Sequence, residues 1–396
     1  IPNPEVIESF DQSLPFAKEV NADILISTDP DADRIGVMLK HKDAWQFLTG
    51  NEIGIILTNY AISKYALQGR LNPNNVVIKT EVTTSLIEKI ARENGIQCIG
   101  NLLVGFKYIA DEMNTIEAQG RIDDFIFGTE ESHGYLTGNY ARDKDAACAA
   151  IWLCEHAAEL KKQQKTLLDD LNDIYSTYGY CHNYLTEIRL LGAKGMEQIS
   201  LIMDHLRDTK IESFDNFRVK ERLDRRQGNP QPHLSKTDTS ARNMLIYHID
   251  DLPQTAGIKL TVRPSGTEPK IKMYFEVIGK PCNPENLADE KTKIADIRQQ
   301  LEKTFMQYCY RLLAVDFPDR GFLLFWQLPL EDKLKYFEIE DDIVKLKNTP
   351  DTRTRQNELD KLLLFLGANP TEKVDKAFRE KHSVGILEYL ELSGVE

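Results

Sequence analysis

Three aspartates at alternate positions, Asp29, Asp31 and Asp33, stand between two short apolar runs at residues 24–26 and 35–37, and Arg34 follows them directly. Carboxylates this close repel one another unless a cation lies between them. Oxygen-only donors suit a hard divalent ion, Mg²⁺ before Ca²⁺. The flanking runs read as buried strands, so the acidic loop sits at a strand end. An EF-hand beginning at Asp29 would need Gly at its sixth place and Glu at its twelfth; Arg34 and Lys40 stand there instead. The run Asp31-Ala32-Asp33-Arg34 also departs from the aspartyl-nucleophile phosphatase pattern, which wants a small hydroxyl or β-branched residue after its second Asp.

A second candidate loop is Gly128-Thr129-Glu130-Glu131-Ser132-His133-Gly134. Glu130 and Ser132, a carboxylate and a hydroxyl two residues apart, have the donors and acceptors to grip vicinal hydroxyls, and the glycines allow close backbone approach. An ordinary acidic turn is the competing reading, and His133 is as well explained as incidental. Lys144 stands near the start of an Ala-rich helix, where a cation is disfavoured unless an anion joins it. That points to a phosphate or to proton transfer, against a plain surface charge pair. The third loop, Arg263-Pro264-Ser265-Gly266-Thr267-Glu268, offers a guanidinium fork, two hydroxyls and freed backbone amides: an anion nest. Lys107, after Gly105-Phe106, has the charge to neutralise a phosphate or simply to face solvent.

These loops need positioning elements. Helix is predicted over residues 52–60, strand over 76–78, and a capping-box start at Ser85 and Glu88 with a stop at Gly95. Strands follow at 97–99 and 125–127, then a long helix over 145–160. This is an α/β layer with loops at strand ends. Farther on, helices are predicted over 195–208 and 286–308. Between them lies a strand pair with period-two alternation: Ile258, Leu260 and Val262 face one way, Lys259, Thr261 and Arg263 the other. Residues 222–240 are polar and read as a mobile loop. The last segment reads as helix at 359–366 and 377–390.

The 396-residue chain has room for two or three domains, and its 41% hydrophobic content supports a sizeable core. A net charge of −13 disfavours nucleic-acid or acidic-membrane binding but leaves room for a local basic pocket. Six scattered cysteines, without Cys-x-x-Cys, point to a reduced, cytoplasmic protein, with Cys98, Cys148 and Cys154 expected in the core. No apolar run reaches membrane-spanning length.

Metal, polyol grip and phosphate grip together indicate phosphoryl transfer on a sugar phosphate. In order and spacing, the three motifs resemble those of the α-D-phosphohexomutases, most closely the phosphoglucomutase branch with its phosphopentomutase-like members. The resemblance covers residues 1–309. It implies an α/β fold of mixed phosphohexomutase-type domains, then a small α+β phosphate-binding domain and a helical C-terminal extension. The expected units are residues 1–44 (remnant of domain 2, metal loop), 45–168 (domain 3, sugar loop), 169–309 (domain 4, phosphate loop) and 310–396 (extension). It further implies Mg²⁺ on Asp29, Asp31 and Asp33, and Arg34 against the transferring phosphate. Glu130 and Ser132 would take the sugar hydroxyls, and Arg263, Ser265, Gly266 and Thr267 the other phosphate. Lys144 would act in proton transfer or charge stabilisation, with Lys107 assisting. The implied partners are a hexose phosphate, glucose favoured, and its bisphosphate intermediate. The family's phosphoserine loop is nowhere in the chain, so it reads as the later part of a longer enzyme, inactive alone without the N-terminal domains. Phosphopentomutase, a non-catalytic sugar-phosphate binder and a metal-dependent phosphatase remain the alternatives.

Overall fold

The computed structural model describes residues 2–190, 192–227, 231, 233–265, 268–315, 318–324 and 328–392. After helix α1 (Ser13–Glu19), strands β1 (Ile24–Thr28), β2 (Ile35–His41) and β3 (Ala44–Leu48) form an antiparallel sheet. The aspartate loop is the β1–β2 turn, with Ala32 in the left-handed region at φ 55°.

The second unit holds α2 (Gly50–Leu67), β4 (Val76–Thr80), α3 (Leu86–Glu93), β5 (Gln97–Leu102), α4 (Phe106–Ala118), β6 (Phe125–Glu130), β7 (Gly134–Leu136), α5 (Ala146–Lys162) and α6 (Leu167–Tyr178). Its sheet runs β5-β4-β6-β7, parallel except for β7. β4 is buried throughout, which is why Val76-Val77-Ile78 shows no alternation. The loop of Glu131, Ser132 and His133 begins at the C-terminal end of β6, where α/β sheets place ligands.

The third unit is a six-stranded antiparallel sheet. Its strands are β8 (Cys181–Arg189), β9 (Ser213–Phe214), β10 (Phe217–Asp224), β11 (Leu245–Ile249), β12 (Thr255–Pro264) and β13 (Lys270–Gly279), in the order β8-β13-β12-β11-β10-β9. Helices α7 (Gly192–Asp208) and α9 (Leu287–Leu312) cover the apolar face, where Ile258, Leu260, Val262, Met273 and Phe275 are buried; α8 (Asp238–Ala241) is a single turn. The last unit is helical: α10 (Leu330–Lys345), α11 (Thr352–Leu363), α12 (Pro370–His382) and α13 (Ile386–Tyr389). It has its own core around Tyr336, Ile343, Leu359 and Phe378, and Leu330 joins it to the third unit. Among the described residues no helix is long and apolar enough to cross a membrane.

Four expectations are corrected. The capping box at Ser85 does not form: its hydroxyl accepts from Lys259, and Glu88 pairs with Lys79 at 2.7 Å. The capping boxes lie instead at Thr49–Glu52 and Thr166–Asp169. The segment 222–240 is anchored where it is described: Arg225 forms a buried ion pair with Glu81, and Asp238 is fully buried. The helix expected over 377–390 is broken by Ser383, left-handed at φ 66°. Cys154 is exposed, whereas Cys148 is buried.

Candidate active site

The aspartate hairpin gathers its own ligands. One ligand oxygen from each of Asp29, Asp31 and Asp33 lies within 4.8 Å of the others. Asp29 is buried; its Oδ1 accepts the amides of Asp33 and Arg34, each at 3.1 Å, and its Oδ2 accepts Arg34 Nε at 2.7 Å. Burial acts to raise its pKa, but the Arg34 contacts win and hold it at about 2. Asp33 shifts the other way, upward, through burial and its neighbour Asp29, although Lys144 opposes this. Its Oδ1 is buried without a hydrogen-bond partner. Arg34 Nε stands 3.6 Å from that oxygen. Three hard oxygen donors at this spacing fit a divalent cation.

Two connections fix this hairpin against the loop of residues 131–133. Arg34 bridges Gly134 in antiparallel fashion, and the Ile35 amide donates to the His133 carbonyl at 3.1 Å. The His133 Nδ1 meets the Ile35 carbonyl at 2.9 Å, so that nitrogen carries the proton and burial lowers the ring's pKa. The start of α5 abuts the same hairpin: the Ala146 amide donates to the Ala32 carbonyl at 3.1 Å, and Asp145 caps the helix. Lys144 is thereby delivered between the loops, with Nζ 2.8 Å from Asp33 Oδ2 and 4.0 Å from Glu130 Oε1. The anion that a lysine at this helix end requires is thus supplied by the protein. Gly134 is needed for the approach: a Cβ there would lie 2.5 Å from Lys144 Cδ.

Glu130 is 5% exposed; burial first, and Glu131 second, push its pKa up to about 7. Lys144 and the Ser132 hydroxyl act in the opposite sense. On the far side, Glu131, Ser132 and His133 share a cavity of about 240 Å³ with Thr261, Lys272 and Tyr274 from the polar face of β12 and β13. Arg263 and Lys272 are direct cross-strand partners. Like charges opposite each other destabilise a sheet, and on its other side Lys272 lies opposite Glu187 of β8. Glu131 feels both cations, and the buried Nε of Arg263 has no hydrogen-bond partner.

The fold therefore brings together the aspartates, Arg34, Lys144, Glu130 and Ser132, and sets Arg263 within electrostatic reach of the neighbouring Glu131. Arg34 also reaches Glu5 at 2.7 Å. Ser265 closes the β12–β13 connection, its amide donating to the Lys270 carbonyl at 2.8 Å; Gly266 and Thr267 lie outside the described residues. Lys107 turns its ammonium to Asp238, at 2.5 Å, and Ser235, at 2.7 Å. Sequence reasoning missed Lys272, Thr261 and Glu5. A signal for the first two existed, since alternation puts both on the face that carries Arg263. Glu5 carries none.

Residues 1–42 match the family model for α/β/α domain II of phosphoglucomutase/phosphomannomutase, and residues 49–178 that for domain III. Phosphoglucomutase of Staphylococcus aureus strain N315 is 37% identical over 279 residues, covering 69% of this chain and 48% of that protein. The strain MRSA252 protein is 36% identical over 283 residues, with the same shares. The open form of the Paramecium phosphoglucomutase pp63/parafusin superposes with a TM-score of 0.49 at 16% identity, covering 75% of this chain and 47% of that one. The chain belongs to the α-D-phosphohexomutase family. It spans about half the length of the curated relatives it matches.

Proposed function

We propose that this chain is the metal-, sugar- and phosphate-binding part of a phosphosugar mutase acting on glucose phosphates. The observation that carries this reading is the wedge formed by residues 130–133. They touch the aspartate hairpin through Lys144 and His133 on one side, and share a cavity with Lys272 on the other. In this reading Arg263, Lys272 and the residues 265–267 hold the phosphate that does not react. Glu130 and Ser132 hold the hydroxyls in either orientation of the sugar. Mg²⁺ on Asp29, Asp31 and Asp33 would supply charge neutralisation at the reacting phosphate, and Arg34 would orient it. Lys144, kept protonated by Asp33, serves better as a charge stabiliser than as a base.

The phosphoryl group would come from a serine outside this chain and pass to a sugar oxygen, which loses its proton. The opposite phosphate of the resulting bisphosphate would then return to the serine, and its sugar oxygen would regain a proton. The preceding domains would cover Ile7, Phe16 and Val20, which are 51%, 64% and 54% exposed. The four-unit division and a cytoplasmic setting belong to the same proposal.

Calorimetric titration with glucose 1-phosphate tests it. Saturable binding that strengthens with Mg²⁺, and an Asp31→Asn variant blind to Mg²⁺, are expected. Steady conversion to glucose 6-phosphate by this chain alone, with a bisphosphate activator, would contradict the placement of the nucleophile elsewhere.

A further inference from the structure

The loop Thr80-Glu81-Val82-Thr83-Thr84-Ser85 leaves the C-terminal end of β4 and touches both walls of the crevice. Toward the sugar loop, Thr83 Oγ1 accepts the Glu131 amide at 3.1 Å and Thr80 Oγ1 donates to the Glu131 carboxylate at 3.4 Å. The two threonine hydroxyls also bond each other at 2.8 Å. Toward the third unit, Lys259 of β12 donates to the Glu81 carbonyl and to the Ser85 hydroxyl, both at 3.0 Å. Glu276 of β13 accepts the Ser85 amide at 2.8 Å, and Arg225 pairs with the Glu81 carboxylate.

Lys259 and Glu276 are 8% and 5% exposed. Burial alone would raise the Glu276 pKa; Lys259, the Ser85 amide and Asn183 reverse this and hold it at about 2. A buried ionic cluster is weak evidence for stability, because desolvation offsets much of the attraction. Its hydrogen bonds do fix geometry, and here they fix one wall against the other. The same strands carry the anion face. With a side-chain period of two, Lys259 and Arg263 project from one side of β12, and Glu276 and Lys272 from the matching side of β13.

We propose that Lys259 is a positioning residue that locks the anion-binding sheet to the 80–85 loop and, through Thr80 and Thr83, sets Glu131 and the sugar loop. A phosphate on the sheet and hydroxyls on the loop then bind cooperatively. This rests on the sugar-phosphate reading above. Inorganic phosphate needs only the sheet, whereas glucose 1-phosphate needs both walls, so their affinity ratio reports the coupling.

The experiment measures both affinities by calorimetry for the 396-residue chain and for Lys259→Met, Lys259→Arg and Thr83→Val. The native chain should prefer glucose 1-phosphate. Lys259→Met and Thr83→Val should each lose about tenfold of that preference, the size of an ordinary coupling between sites; Lys259→Arg should recover part of it. A purely structural role would lower thermal stability and leave the ratio alone. If Lys259→Met does not fold, Thr83→Val decides, since it removes one hydroxyl with little change of shape. Variants that fold and keep the native ratio overturn the coupling and leave the site reading intact. A native chain without any preference overturns the sugar-phosphate reading and the coupling with it.

Discussion

Glu130 and Glu340 are both glutamates with almost no exposed surface, 5% and 2%, yet the protein holds them in opposite states. Glu340, in the helical C-terminal unit, pairs with Arg320 through both oxygens, with Lys381 at 3.0 Å and with the Tyr336 hydroxyl at 3.3 Å. Burial pushes its pKa up, but these partners outweigh burial and hold it below the ordinary value. Glu130, in the crevice, has the Ser132 hydroxyl, a lysine 4.0 Å away and a second glutamate beside it. Its pKa climbs to about 7. A saturated buried carboxylate is architecture. An undersupplied one, like Asp33 Oδ1 and Arg263 Nε, which also lack a hydrogen-bond partner, is what the proposed sugar-phosphate site would have a ligand complete.

The largest effect should come from breaking the saturated group. Glu340→Ala leaves Arg320 and Lys381 with buried, unpaired charge and should cost the C-terminal unit about 3–5 kcal/mol. Hydrogen exchange in α10 and α12 would read this, with glucose 1-phosphate affinity unchanged. A loss of affinity of similar size would mean that the two regions are not independent.

Glu130→Gln should act in the opposite sense. A pKa raised from 4.5 to about 7 means that the folded state binds the proton more tightly, so stability falls as pH climbs through that window and is level above it. At pH 8 the substitution should therefore stabilise the second unit, by at most about 3 kcal/mol at 1.36 kcal/mol per pKa unit. At pH 4 it should have little effect, and ligand affinity should fall throughout. Glu340 has the reverse dependence: its contribution is present above the ordinary carboxylate range and is lost as pH falls below it. Denaturant melts between pH 4 and pH 8 compare the two slopes; equal slopes would erase the distinction.

His133 sharpens the comparison from inside the site, because it lies in the sugar loop and is satisfied. His133→Ala removes the bond to the Ile35 carbonyl and should cost about 1–3 kcal/mol. It should weaken Mg²⁺ and sugar binding together, since it joins the two loops. Weakening of sugar binding alone would make it a ligand contact.

What could be read from the sequence was local. The aspartate triplet, the Glu130–Ser132 spacing and Arg263 each sit within a few residues and keep their chemistry wherever the chain goes. What could not be read was made by pairing. Lys272 gains meaning only opposite Arg263, and Glu5 only beside Arg34. Ser85 and Glu88 have the spacing of a cap, but buried Lys259 and Lys79 claim both side chains, and a tertiary charge outbids a local hydrogen bond. Residues 222–240 look loose because their composition is polar; those polar groups are spent on Glu81 and Lys107.

The direct test of a shared crevice is phosphorus NMR of glucose 1,6-bisphosphate bound to this chain with Mn²⁺ in place of Mg²⁺. Metal on the aspartates should relax one phosphate strongly and the other weakly. Asp31→Asn should abolish both effects, and Lys272→Met should weaken binding through the remote phosphate. Tight bisphosphate binding with neither phosphate relaxed by aspartate-bound Mn²⁺ would separate the metal site from the sugar site and contradict the convergence proposed above.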